Sequence, residues 1–267
     1  MTTAPWIAAP VALFLWWFST GAILWAVRRS TGGRNRAALW SLPVLFAGLA
    51  GFWQSLGHGD TGAVYLGFAS ALAIWGWIEL AFLCGVITGP NAYPCPVDAP
   101  LWERFIRAWG TIAYHEMLLV TIAIALALVS WNQPNTAGAW CFGILFAARI
   151  SAKLNLFFGV PKFNTEFLPD HLSHLPSHFR IARMNWFFPI SVSLLSLAVA
   201  LFMARAGHAA TDQIKTAQIL LASLTALAVL EHWLLVLPLP DAKLWRWMLP
   251  DPKPLTMNTE REGRHGI

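Results

Sequence analysis

Seven apolar stretches, each about as long as a bilayer is thick, constrain this chain more than any other feature. A helix rises 1.5 Å per residue, so crossing a hydrocarbon core of about 30 Å takes roughly 20 apolar residues. Such stretches run over 7–27, 37–56, 63–87, 108–130, 137–158, 185–204 and 217–237. Turn-forming residues separate them, among them Gly32-Gly33, Gly57-His58-Gly59-Asp60, Gly89-Pro90, Asn132-Gln133-Pro134-Asn135 and Gly159-Val160-Pro161. Lipid offers no partner to a free backbone amide, so each stretch must close its own hydrogen bonds as a helix. The expected fold is all-α: a polytopic integral membrane protein, one bundle of about seven transmembrane helices over 1–238. A polar connector at 159–183 belongs to it, and a Pro- and charge-rich tail at 239–267 follows, its end expected to be disordered. The first span has no basic leader before it and no small-residue cleavage site after it, so it is expected to be retained.

Composition agrees. Hydrophobic residues make up 57% and charged residues 12%, against about 25% charged in soluble domains. The 16 tryptophans, as in Trp16-Trp17 and Trp245-Arg246-Trp247, suit belts at the membrane boundary. A net charge of +5 would suit nucleic acid in a soluble protein. Here the charge reads as topology instead, and no nucleic-acid partner is expected. Of the 18 Lys and Arg, all but Arg205 and Lys215 fall on one side of the expected bundle. The positive-inside rule then puts the N-terminus outside and the C-terminus in the cytoplasm. Cys84, Cys95 and Cys141 have no paired spacing, so neither a disulfide framework nor a zinc knuckle is indicated. Phosphate-binding Gly-rich loops, a nucleophile elbow and an inverted repeat are absent from the sequence.

Ionisable residues inside spans cost about 2.5–3.5 kcal/mol each on insertion scales and so call for a reason. Glu79, His115, Glu116, Arg149, Lys153, Glu231 and His232 all lie within expected spans. At helical rise the charged ones sit about 9–15 Å from the basic ends, in a single slab. Arg149 and Lys153 are spaced i,i+4 and share a helix face. The adjacent pairs His115-Glu116 and Glu231-His232 look like two halves of one site. The connector adds Glu166, Asp170, His171, His174 and His178, the three histidines being spaced for one helical face that Pro176 interrupts.

Three readings of this layer stand side by side. It is a metal centre, with Glu79, Glu116 and Glu231 giving carboxylates to two irons and His115, His232 and His171 or His174 giving imidazoles. Bundled di-iron proteins use a Glu-x-x-His pattern that adjacent pairs do not reproduce. It is a structural ion-pair network, in which Arg149 and Lys153 offset the carboxylates and Asn155 and Asn185 hydrogen-bond between helices. Or it lines a cavity for a polar or pigment-like ligand, with a histidine offered to a tetrapyrrole metal.

The run Lys153-Leu154-Asn155-Leu156-Phe157-Phe158-Gly159-Val160-Pro161, continuing through Asn164-Thr165-Glu166-Phe167-Leu168-Pro169-Asp170-His171, resembles the PuhE family, also described as photosynthetic complex assembly protein 2. The segments around Glu79, His115-Glu116 and Glu231-His232 extend the likeness over nearly the whole chain. The resemblance implies a bacterial inner (intracytoplasmic) membrane protein of anoxygenic phototrophs, whose genes accompany that of the reaction-centre H subunit. It implies an accessory or assembly role for reaction-centre and light-harvesting complexes, with those subunits or bacteriochlorophyll as partners. The competing expectation is a di-iron oxygenase or oxidase acting on a lipid-soluble or tetrapyrrole substrate. A proton-coupled transporter is a third, weakened by the missing repeat.

Overall fold

The computed structural model describes residues 5–29, 34–161, 165 and 168–237. The tail at 239–267 and Glu166 lie outside the described residues. Eight α-helices follow a 3₁₀ turn at Pro5–Ile7: α1 Ala8–Arg29, α2 Arg34–Trp40, α3 Leu42–Leu56, α4 Thr61–Leu83, α5 Leu101–Val129, α6 Ala137–Phe158, α7 Phe187–Gly207 and α8 Asp212–Leu234. Short α2 and α3 together make one apolar length, Asn35–Leu56, so seven are long and apolar enough to cross a membrane. The protein is a multi-pass, all-helical membrane protein. Among the described residues there is no strand, only a bridge between Val160 and Ile181.

Local chemistry explains where the expected boundaries shift. The second span is interrupted at Ser41 because Pro43 falls in the first turn of α3 and has no N–H to give the preceding turn. The third span ends at Leu83, short of the expected 87, where Cys84 caps it and Gly85 turns the chain with φ of 74°. The fourth begins at Leu101 rather than 108, since Pro100 suits a helix start and Glu103 pairs with Arg107 one turn on. Asp60 and Thr211 cap α4 and α8 by accepting from Gly62 and Ile214 N–H.

Helix α4 is the central post. Its Val64, Phe68, Ala71, Leu72, Ile74 and Ile78 are buried against Phe52, Leu56, Cys141, Phe142, Leu220 and Leu224 of α3, α6 and α8. In contrast, α7 buries little beyond Phe188, Ser191 and Ala206 and turns Leu194, Leu197 and Leu201 outward. A soluble bundle could not afford such an apolar rim; a lipid-facing one requires it. At one end the connector folds back under the helices. Leu172 and Leu175 plug against Phe82, and Arg180 N–H donates to Leu156 O while Val160 N–H donates to Arg180 O.

Candidate functional site

The charged layer lies where α4, α5, α6 and α8 approach the connector. Glu79 on α4 is 7% exposed, and Arg149 on α6 donates through Nη2 to its Oε2 at 2.8 Å. The other oxygen of Glu79 faces His115 Nε2 at 3.7 Å, beyond hydrogen-bond range. His115 is fully buried, its ring 4.6 Å from that of Phe82. One turn beyond Arg149, Lys153 meets Glu116 of α5 in an ion pair. The shared face of Arg149 and Lys153 thus divides between two carboxylates on two helices, as the i,i+4 spacing allows.

Helix α5 holds His115 and Glu116 in place by an unforeseen device. Past Gly85 the chain runs back along α5. There Asn91 N–H donates to Gly110 O and His115 N–H donates to Thr88 O, both at 3.0 Å, and Asn91 Nδ2 donates to Arg107 O at 3.0 Å. The loop backbone thereby shares one turn of α5. Only a residue without a side chain fits at this crossing, because a Cβ on Gly89 would lie 2.1 Å from Gly110 O.

The α8 pair separates. His232 is buried and bonds within the protein, Nδ1 to Ala228 O at 2.8 Å and Nε2 to Ser151 Oγ at 2.9 Å. Glu231 instead faces a cavity of about 410 Å³ among α1, α4, α6 and α8, whose walls also carry Glu79 and Arg149. Its Oε1 accepts from Trp16 Nε1 at 2.8 Å, and among the described residues it forms no ion pair. Trp16, expected in an interfacial belt, is half-buried and makes a specific contact with α8. A composition signal could not tell this indole from the others. Ser151 was likewise missed as the partner of His232.

The donors expected to form one metal centre are consequently spread over separate pairs: Glu79 with Arg149, Glu116 with Lys153, Glu231 with Trp16, and His232 with Ser151. Of the two His/Glu pairs expected to form halves of one site, Glu231 lines the cavity, while Glu116 is not in its wall and pairs with Lys153. Among the described residues no group of three or more His, Cys, Asp or Glu side chains is placed to hold a metal ion. The connector residues stand apart. Asp170 is exposed at the head of the 3₁₀ turn Asp170–Leu172, and the ring of His171 covers Gly85. His174 and His178 sit on the next turn, where Arg104 Nη2 donates to His178 O at 3.0 Å and Cys95 N–H donates to Ser177 Oγ at 2.8 Å. Burial lowers both imidazoles below their ordinary 6.5. Asn155 does join helices: its Nδ2 donates to Ser191 Oγ at 3.0 Å, and Asn185 Nδ2 donates to Asn155 Oδ1 at 3.1 Å.

Chemically, the layer is a row of ionisable groups tied in pairs. Among the described residues, Glu79 Oε1, Glu116 Oε2, Arg149 Nε and both nitrogens of His115 have no hydrogen-bond partner. The cavity wall carries two carboxyl groups, Glu79 and Glu231, and one guanidinium, Arg149.

Comparison with known proteins gives one clear kinship. The chain is 50% identical over 250 residues to the "Uncharacterized 30.4 kDa protein in puhA 5'region" of Rhodobacter capsulatus, covering 92% of this chain and 91% of that one. No solved structure matches. Residues 2–256 match the family described as "Protein of unknown function (DUF3623)". On a match of that extent, and with a relative half identical along nearly its whole length, the chain belongs to the DUF3623 family.

Proposed function

We propose that this protein is a membrane-embedded accessory factor for assembling bacterial photosynthetic complexes, acting at reaction-centre or light-harvesting subunits and their bacteriochlorophyll. The observation that carries this reading is the location of the Rhodobacter capsulatus relative in the puhA 5' region. The resemblance to the PuhE family points the same way, and under it the gene accompanies that of the reaction-centre H subunit. The architecture is suited to the task. An accessory factor needs lipid-facing helices to meet other spans and an interior that can hold or release something polar, and the half-open charged layer offers the second.

On this reading the protein resides in the inner (intracytoplasmic) membrane with the connector in the cytoplasm. Support comes from the basic residues at the connector end, Arg28, Arg29, Arg104, Arg107, Arg180 and Arg183, against Arg205 and Lys215 opposite. Deleting the gene from a phototroph tests the role. Near-infrared absorption of membranes should show less assembled complex, restored by the wild-type gene, and tagged protein should carry reaction-centre or light-harvesting subunits with it. Unchanged complex levels, together with tagged protein free of those subunits, would refute the proposal.

A further inference from the structure

Two cavities flank α1, and they touch. The charged one has Ser19, Ile23, Leu72 and Gly76 in its wall. A second, of about 370 Å³ between α1, α3 and α4, has the same four residues in its wall, together with Leu15, Ala22, Val44, Trp77 and others. The second is apolar almost throughout. It opens toward the bilayer between α1 and α3, where Phe18 and Val44 at its rim are 56% and 52% exposed. The partition is thin. At the crossing of α1 and α4 the Ile23 side chain rests on Gly76, 3.5 Å from where a Cβ would stand. Ile23 is a wall residue of both cavities, and rotamer changes of such side chains are fast.

We propose that this joined space binds a long-chain amphiphile that enters from the lipid, its chain under α1 and a cationic head at Glu231. Charge selects the head. The charged cavity carries Glu79, Arg149 and Glu231, but Arg149 is already committed to Glu79 at 2.8 Å. Glu231 has the indole of Trp16 and, among the described residues, no ion pair. An ammonium group would complete its bonding, whereas a carboxylate or phosphate head would set a like charge against it. The chain supplies reach rather than selectivity, since it leaves one apolar medium for another. Each cavity is of the size ordinary for small-ligand sites, roughly 300–1,000 Å³. The inference does not rest on the assembly role, and the two fail by different measurements.

The test uses nitroxide-labelled octadecylamine, octadecanol and octadecanoic acid with the whole protein in lipid nanodiscs. The immobilised component of the spin-label spectrum is read against total probe. The amine should be retained about tenfold more strongly than the acid, the scale of one charge-assisted hydrogen bond. Glu231→Gln should bring amine and acid within about twofold of each other, while Glu231→Asp keeps the preference. Gly76→Leu, which fills the throat, should remove the immobilised component for all three probes. Should that variant not fold, Ala22→Trp at the rim serves in its place. Equal retention of amine and acid, a preference that survives Glu231→Gln, or binding that survives the blocked throat would each overturn the proposal.

Discussion

Asn135 and Glu79 are both buried polar residues between helices, and they are treated in opposite ways. Asn135 is 3% exposed and finishes its bonding. Its Nδ2 donates to Ser55 O at 3.1 Å and Ala63 O at 2.8 Å, and its Oδ1 accepts from Ala137 N–H at 3.1 Å. That tie joins α3, α4 and α6 with neutral groups and leaves nothing over. Around Glu79 the bonding is charged instead, and among the described residues Glu79 Oε1, Glu116 Oε2 and both His115 nitrogens have no hydrogen-bond partner. One polar region closes on neutral partners, and the other is held by pairs of opposite charge.

The comparison breaks most readily at Lys153. Lys153→Met would leave the Glu116 carboxylate buried without its cation, and stability should fall by about 3–5 kcal/mol. Adding Glu116→Gln to it should recover most of that loss, because a neutral pair needs no compensation. Unfolding in mixed micelles measures both, and a single variant as stable as the wild type would show that Glu116 does not depend on the pair. Next in size is Gly89→Ala. Its Cβ would meet backbone atoms of Gly110 and Thr111, which cannot swing aside, so a loss of about 3 kcal/mol is expected. Faster amide exchange at His115 should accompany it, since that amide bonds to the loop.

Asn135→Ala sharpens the contrast from the closed side. It should cost about 2 kcal/mol, given the modest worth of hydrogen bonds between membrane helices. Binding of the amine probe should not change. The smallest effect concerns the connector. His174 and His178 have folded values lowered below 6.5 by burial, so in that window the unfolded connector binds more protons than the folded one. Stability from these groups is therefore complete above about pH 6.5 and declines as pH falls through the window. Hydrogen exchange over 168–180 should quicken on mild acidification, and His178→Gln should flatten the response. An exchange rate unmoved by pH would sink this account.

Much of this was legible early, for definite reasons. Apolar length marks a span whatever its neighbours are, so all seven spans could be read. The i,i+4 relation of Arg149 and Lys153 is local and held. The pairings were not legible, because spacing along a helix does not say how it is rotated about its axis. Glu231 and His232 are neighbours in the chain, yet one meets Trp16 and the other Ser151.

Residue order alone therefore determined an all-helical bundle and its number of spans, since these follow from hydrophobic length and a fixed rise per residue. Tertiary structure decided which carboxylate meets which cation, where the loop after Gly85 shares the turn of α5, and that two cavities adjoin beneath α1. Those features depend on helix rotation and on contacts between residues far apart in the chain. Periodicity and spacing carry no record of either.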